Sequence, residues 1–139
     1  MTYHSIFRPD LFAGQTYIVT GGGTGIGRAV AHELASLGAH VVLAARTEAN
    51  LARVAAEIAA TGGSASYVVA NIREEEQVAA LFDHVLAERG QLHGLVNNAG
   101  GQFLSPAEMI SLKGWRAVVE TNLTGTFLMC REAFNRHMG

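Results

Sequence analysis

Short apolar runs alternate along the chain with longer stretches in which apolar residues recur at helical spacing. Tyr17-Ile18-Val19-Thr20 stops at Gly21-Gly22-Gly23 and predicts a buried strand. Ile26, Val30, Leu34 and Leu37 then share a helical face, and Gly38 closes that helix. His40 to Ala45 predicts a second strand. Leu51, Val54, Ala55 and Ile58 mark a second helix that ends before Gly62-Gly63. Ser66 to Ala70 predicts a third strand. Glu74, Glu75 and Glu76 open a third helix at its positive end, with Val78, Leu81, Phe82 and Val85 on the buried side. Leu92 to Val96 predicts a fourth strand and Asn97 to Gly101 a loop. Trp115, Val118, Val119, Leu123, Phe127 and Cys130 outline a long last helix.

Apolar strands alternating with helices imply a parallel sheet covered on both faces. Right-handed crossovers make that an α/β, Rossmann-like, doubly wound sheet, here truncated at about four strands. No repeat or low-complexity linker divides the 139 residues. They read as one domain or part of one.

Composition narrows the function classes. At 49% hydrophobic and 16% charged residues the chain is too apolar for disorder. Twelve acids against ten bases give a net charge of −2, no footprint for nucleic acid or an anionic membrane. Cys130 has no partner for an internal disulfide or a cysteine zinc cluster, and the 6 histidines are too scattered to indicate a metal. With no signal-peptide pattern and no apolar run long enough to span a membrane, the expected compartment is the reducing cytoplasm.

Thr20-Gly21-Gly22-Gly23-Thr24-Gly25-Ile26-Gly27 lies between the first strand and the first helix. Glycines permit positive φ and close approach of backbone amides, and with the helix N-terminus they form a pyrophosphate site. A phosphate loop of the Walker type fails, because Arg28 and Ala29 stand where its Lys and Ser/Thr belong. The stretch fits T-G-x-x-x-G-x-G, with Gly21, Gly25 and Gly27. A ligand-free tight turn is the plainer alternative. At the end of the second strand, where an NAD-binding fold places an Asp or Glu for the ribose 2′-hydroxyl, the chain has Ala45 and then Arg46. A guanidinium there pairs with a 2′-phosphate, which points to NADP(H), although Arg46 also reads as a solvated surface charge.

The pattern from Thr20 to Gly27, the Asn97-Asn98-Ala99-Gly100 loop and Asn122 in the long helix resemble, in order and spacing, the short-chain dehydrogenase/reductase family from about Phe12 to the last residue. Asn71-Ile72-Arg73-Glu74-Glu75-Glu76, the run from Gly101 to Glu108, Lys113-Gly114-Trp115 and the run from Glu120 to Phe127 look like its NADPH-dependent peroxisomal trans-2-enoyl-CoA reductase branch. Bacterial acyl-CoA and terpenoid-alcohol reductases are similar over the same segments.

The resemblance implies that Gly21, Gly23, Thr24, Gly25 and Ile26 hold the pyrophosphate and adjoining ribose. It places Arg46 at the 2′-phosphate, Asn71 and Ile72 at the adenine, and Asn98, Ala99 and Gly100 beside the nicotinamide ribose. An amide at position 71 suits adenine nitrogens, or equally closes a strand-end turn. Asn122 falls on the helical face of Val118, Val119 and Thr126, so burial is expected; in the family such an Asn holds a water of the proton relay, and the alternative is a packing or helix-bending role. Gln102, Phe103 and Ser105 follow the nicotinamide loop and either line a substrate pocket or, for Phe103, cover the core. No metal ligand is implied.

The family's chemistry also needs a Ser and a Tyr-x-x-x-Lys pair, and this sequence contains no such pair: its tyrosines are Tyr3, Tyr17 and Tyr67, and its only lysine is Lys113. The expectation is therefore that residues 1–139 form the N-terminal, dinucleotide-binding part of a single domain whose catalytic half is absent. The parent would be an NADPH-dependent reductase of 2-enoyl-CoA thioesters, a homo-oligomer with a small acyl-CoA or carbonyl substrate. A 3-oxoacyl thioester or alcohol dehydrogenase, and a non-catalytic NADP-binding module, are the alternatives.

Overall fold

A computed structural model describes residues 4–138. Four parallel strands form one sheet in the order β3-β2-β1-β4: β1 (Thr16–Thr20), β2 (His40–Ala45), β3 (Ser64–Val69) and β4 (Gly94–Val96). Between them run α1 (Gly25–Ser36), α2 (Glu48–Ala60) and α3 (Glu75–Arg89). The doubly wound, Rossmann-like arrangement expected from the sequence is thus observed, with β1 and β2 at its centre and β4 paired to β1 alone among the described residues.

The strand alternation feeds two cores. Val19, Val41 and Leu43 point to one face, where Ala31, Ala35, Leu51, Val54 and Ile58 of α1 and α2 cover them. Ile18, Val42 and Ala44 point to the other, beneath Val78, Leu81, Phe82 and Val85 of α3. The chain winds outward from β1 to β3 and returns to β4 on the far side of β1. Reversing direction with crossovers of one hand moves the covering helix to the opposite face. The reversal also splays the loops after β1 and β4 apart, which is where such sheets bind ligands.

The last helical run has four parts: α4 (Leu112–Val119), a π-helical stretch (Glu120–Gly125), α5 (Thr126–Ala133) and a second π-helical stretch (Phe134–Met138). It lies on the α3 side, burying Leu128, Met129 and Ala133. Arg131 pairs with Glu75 and Arg136 with Asp83, tying it to α3. Trp115, Leu123 and Phe127, residues that outline the helix in the sequence, face outward. Among the described residues no helix is long and apolar enough to cross a membrane.

Candidate functional site

β1 ends at the fully buried Thr20, whose hydroxyl fixes the geometry of the glycine turn. Thr20 Oγ1 donates to the Val96 carbonyl at 3.3 Å and accepts from the amides of Asn98 at 3.1 Å and Ala99 at 2.9 Å. Asn98 returns the link: its Nδ2 donates to the carbonyls of Thr20 at 3.0 Å and Gly21 at 3.4 Å. The ends of β1 and β4 are therefore joined by side-chain bonds where the strands diverge. The sequence marks Thr20 only as the first letter of a motif, and its role as a joint appears in three dimensions.

The turn itself needs its glycines for two reasons. Gly21 has φ +65°, and a Cβ there would lie 2.8 Å from Asn98 Nδ2. Gly27, one turn into α1, passes so close that a Cβ would sit 2.2 Å from the Gly21 carbonyl oxygen. Gly25, with φ +52°, has nothing within 4 Å of its Cβ position and opens onto the cleft.

α1 begins at this turn without a cap. Thr24 occupies the N-cap position but makes no side-chain capping bond, and the first turn has no acidic residue. Its leading amides thus have no intrahelical partner and carry the positive end of the helix dipole. Such an end stabilises an anion.

The cations around the turn differ in availability. Glu57 on α2 takes Arg28 Nε at 2.7 Å and His32 Nε2 at 3.1 Å, with Arg53 Nε at 3.9 Å. Those hydrogen bonds, Arg28's first, hold the Glu57 carboxyl below the usual carboxylate range. Arg53 also donates from Nη2 to the Gly23 carbonyl at 3.3 Å, turning that oxygen toward α2. Arg46, exposed at the end of β2, has no hydrogen-bond or ion-pair partner among the described residues.

All the residues predicted to hold a cofactor line one cleft of about 520 Å³: Gly21, Gly23, Thr24, Gly25, Ile26, Arg46, Asn71, Ile72, Asn98, Ala99 and Gly100. Ala44, Ala45, Thr47, Asn50, Ala70, Arg73 and Thr121 complete its walls, and none of them is among the residues predicted to hold a cofactor. Asn71 takes the turn role, one of its two predicted uses. Its Oδ1 accepts from the Arg73 amide at 3.1 Å, closing the strand-end turn, while the residue still borders the cleft. Ile72 reaches from the cleft into the core beneath α3.

Three predicted residues lie elsewhere. Gln102, Phe103 and Ser105 sit on the loop past Gly100, outside the cleft walls. The Phe103 ring packs against the backbone at Gly114 of α4, where a Cβ would come within 2.8 Å of it. Ser105 Oγ donates only to the Pro106 carbonyl at 3.3 Å.

Asn122 requires a correction: it is exposed, not buried. The expectation extrapolates a regular helical period through residues 118–126, but the Glu120–Gly125 stretch, which contains Asn122, is π-helical and departs from that period. Asn122 instead clasps the loop after β4. Its Oδ1 accepts from the Gly101 amide and its Nδ2 donates to the Gly101 carbonyl, both at 2.8 Å.

The chain matches a family model described as short chain dehydrogenase over residues 15–139. It is 36% identical over 120 residues to a probable 2,4-dienoyl-CoA reductase, (2E)-enoyl-CoA-producing, of Bacillus subtilis, covering 86% of this chain and 47% of that protein. Its structure superposes with a TM-score of 0.93 on a citronellol catabolism dehydrogenase of Pseudomonas aeruginosa, at 58% identity, covering 98% of this chain and 56% of the other. A metagenomic short-chain oxidoreductase solved in complex with NADP matches with a TM-score of 0.82 and 40% identity, over 87% of this chain and 55% of that one. The chain spans about half the length of the curated relatives it matches. From the glycine turn to the Asn122 clasp, and by the match over nearly its whole length, the chain belongs to the short-chain dehydrogenase family.

Proposed function

We propose that this chain is the NADP(H)-binding part of a short-chain reductase acting on 2-enoyl-CoA thioesters. The observation that carries the cofactor choice is the pairing, within one cleft, of an uncapped α1 N-terminus with the unpartnered Arg46 at the end of β2. The first suits a pyrophosphate and the second a ribose 2′-phosphate, and no carboxylate stands at the β2 end to repel it.

Each residue then has a task. The amides after Gly23 and Gly25 would receive the pyrophosphate, and Arg46 would pair with the 2′-phosphate. Asn71 and Ile72 would border the adenine. Asn98, Ala99 and Gly100 would flank the nicotinamide ribose, held in place by Thr20. When bound, the nicotinamide supplies the hydride. Proton transfer to the substrate needs a positioned acid, and the 139 residues contain no Tyr-x-x-x-Lys pair to serve. The chain alone is therefore a binding module, and turnover belongs to a protein that supplies that pair. A relative named as an enoyl-CoA-producing reductase supports the thioester reading, and the single cysteine suits the reducing cytoplasm.

The citronellol-catabolism neighbour supports a second reading, an alcohol or carbonyl dehydrogenase on the same scaffold. Titrating the purified chain with NADPH and NADH, followed by nicotinamide fluorescence and melting temperature, tests the core of the proposal. Stabilisation by NADPH alone is expected, and preference for NADH would refute it. Product analysis of the complete enzyme separates the substrates: a saturated acyl chain supports the thioester reading, a hydroxyl the alternative.

A further inference from the structure

Gly23, in the middle of the glycine turn, is buried against the start of α2: a Cβ there would lie 3.0 Å from Asn50 Cβ and 3.4 Å from the Leu51 amide nitrogen. Three residues further along α2, on the face that carries Asn50, Arg53 donates from Nη2 to the Gly23 carbonyl at 3.3 Å. Among the described residues no other hydrogen bond reaches that oxygen. Glu57, one turn beyond, faces Arg53 Nε at 3.9 Å with Oε1, while its Oε2 takes Arg28 Nε and His32 Nε2 of α1. The turn, α2 and α1 are thereby joined in one polar circuit.

The peptide that Arg53 holds matters because of its dipole. In a trans peptide the carbonyl oxygen and the amide hydrogen lie on opposite sides, and none of the described peptides is cis. With the Gly23 oxygen drawn to Arg53, the Thr24 N–H of the same unit points away from that guanidinium. Thr24 lines the cofactor cleft, its amide has no hydrogen-bond partner among the described residues, and α1 begins at the next residue. Glycine gives this peptide little resistance to rotation: Gly22 and Gly23 precede it, and Gly25, at φ +52°, follows Thr24. A half-turn of its plane would exchange the amide for the carbonyl and present a partial negative charge to an anion in the cleft. Arg53 itself is absent from the cleft wall, so it acts through Gly23 rather than on a ligand.

We infer that Arg53 is a positioning residue for the dinucleotide: by holding the Gly23 carbonyl it keeps the Thr24 amide turned to the cofactor's pyrophosphate. The inference rests on the reading of the cleft as a dinucleotide site, and adds to it a residue that touches no part of the cofactor. It also gives different tasks to two cations close in sequence. Arg46 serves the 2′-phosphate and so chooses between dinucleotides, whereas Arg53 serves a group common to both.

The test is titration with NADPH and NADH, read by nicotinamide fluorescence, of the unsubstituted chain, Arg53→Met and Arg53→Lys. Amide resonances of the isotope-labelled proteins are recorded before ligand is added. Arg53 is exposed and its ion pair lies at the surface, so the ligand-free melting temperature should hold. Arg53→Met is expected to weaken both dinucleotides about fivefold, the order of one lost charge-assisted hydrogen bond, and to leave their ratio unchanged. Arg53→Lys should stay within about twofold of the unsubstituted chain, because an ammonium can still donate to a single carbonyl. The Thr24 amide resonance should move in the methionine variant and return in the lysine variant. Unchanged affinity in Arg53→Met overturns the proposal and leaves the cofactor reading standing, as does a loss confined to NADPH, which would put Arg53 on the 2′-phosphate. A lysine variant as weak as the methionine variant also overturns it. An unsubstituted chain that binds neither dinucleotide overturns both readings.

Discussion

Replacing Thr20 by valine keeps the shape of a fully buried side chain and deletes only its hydroxyl. That hydroxyl is saturated, giving its one proton to Val96 and accepting the amides of Asn98 and Ala99. Valine fills the space and leaves the Ala99 amide without a partner, while the Asn98 amide and the Val96 carbonyl keep only their mutual bond at 3.1 Å. With one orphaned amide costing about 1 kcal/mol or more and two further bonds lost, Thr20→Val should lose about 2 kcal/mol of stability. Thr20→Ser keeps all three bonds and forfeits one methyl, a loss of about 1 kcal/mol. The expected order is thus the reverse of what apolar burial alone would give, since the more hydrophobic variant should be the weaker. Urea denaturation reads this as a lower midpoint at unchanged slope for valine. NADPH affinity should fall with it, because the loosened Asn98 and Ala99 wall the cleft. A valine variant as stable as the serine variant would refute the idea that this hydroxyl joins β1 to β4.

The structure sets the outcome of four other substitutions. Arg46→Asp should weaken NADPH by about 10- to 100-fold and improve NADH, since a carboxylate repels the 2′-phosphate and accepts from the 2′-hydroxyl; equal losses for both dinucleotides would remove Arg46 from the site. Gly27→Ala should cost about 3 kcal/mol in a denaturant titration, because its Cβ meets the Gly21 carbonyl at 2.2 Å and Asn98 Nδ2 at 2.5 Å. Gly101→Ala, with nothing within 4 Å, should stay within about 0.5 kcal/mol. Burial, reinforced by Arg89 and opposed by Glu88, pushes the His40 imidazole below its ordinary value of 6.5. The unfolded chain therefore takes up the proton more readily, so stability present at neutral pH should fall as pH drops below about 6.5, and His40→Gln should flatten that part of the melting-temperature profile.

What the sequence disclosed, and what it hid, has physical causes. The strands β1 and β2 are buried on both faces, so their apolar runs stand out, and β2 spans the predicted residues. The apolar pattern predicts β3 from Ser66, yet the strand begins at Ser64, because polar positions there are satisfied out of sight: Ser64 and Ser66 Oγ contact His40 Nδ1 at 2.6 Å and Nε2 at 3.0 Å. The pattern likewise predicts β4 from Leu92, and the strand starts at Gly94, although the His93 amide already bonds the Thr16 carbonyl at 2.8 Å. The cofactor residues are legible because backbone conformation forces glycine and charge reversal forces Arg46 into view. Thr121, Asn50 and Arg73 have no such signature and enter the cleft only through packing. The π-helical stretch is hidden for a different reason, since no residue between Glu120 and Gly125 is a helix breaker other than Gly125 itself. That glycine is buried where a Cβ would lie 2.8 Å from Ile72 Cδ1, and it lets the helix pass over the Ile72 side of the cleft.

The distribution of the cleft residues along the chain bears on what the fold can do. Gly21 to Ile26 follow β1, Arg46 follows β2, Asn71 and Ile72 follow β3, and Asn98 to Gly100 follow β4. Each comes from the loop at the C-terminal end of its strand or, for Gly25 and Ile26, from the first residues of the helix that follows, and the winding order places β1 and β4 side by side so that their loops face one another across the reversal point. Asn50 on α2 and Thr121 on the last helical run stand outside this set, and Asn122, next to Thr121, reaches the cleft wall indirectly through Gly101. On the proposed reading, dinucleotide recognition is built by four strand ends and one clasp, whereas proton transfer asks for a tyrosine and lysine that none of these elements carries. On that reading, binding is separable from chemistry. A Thr20→Val or Gly27→Ala change should therefore act on cofactor affinity by loosening the β1–β4 joint, whether or not a catalytic pair is present.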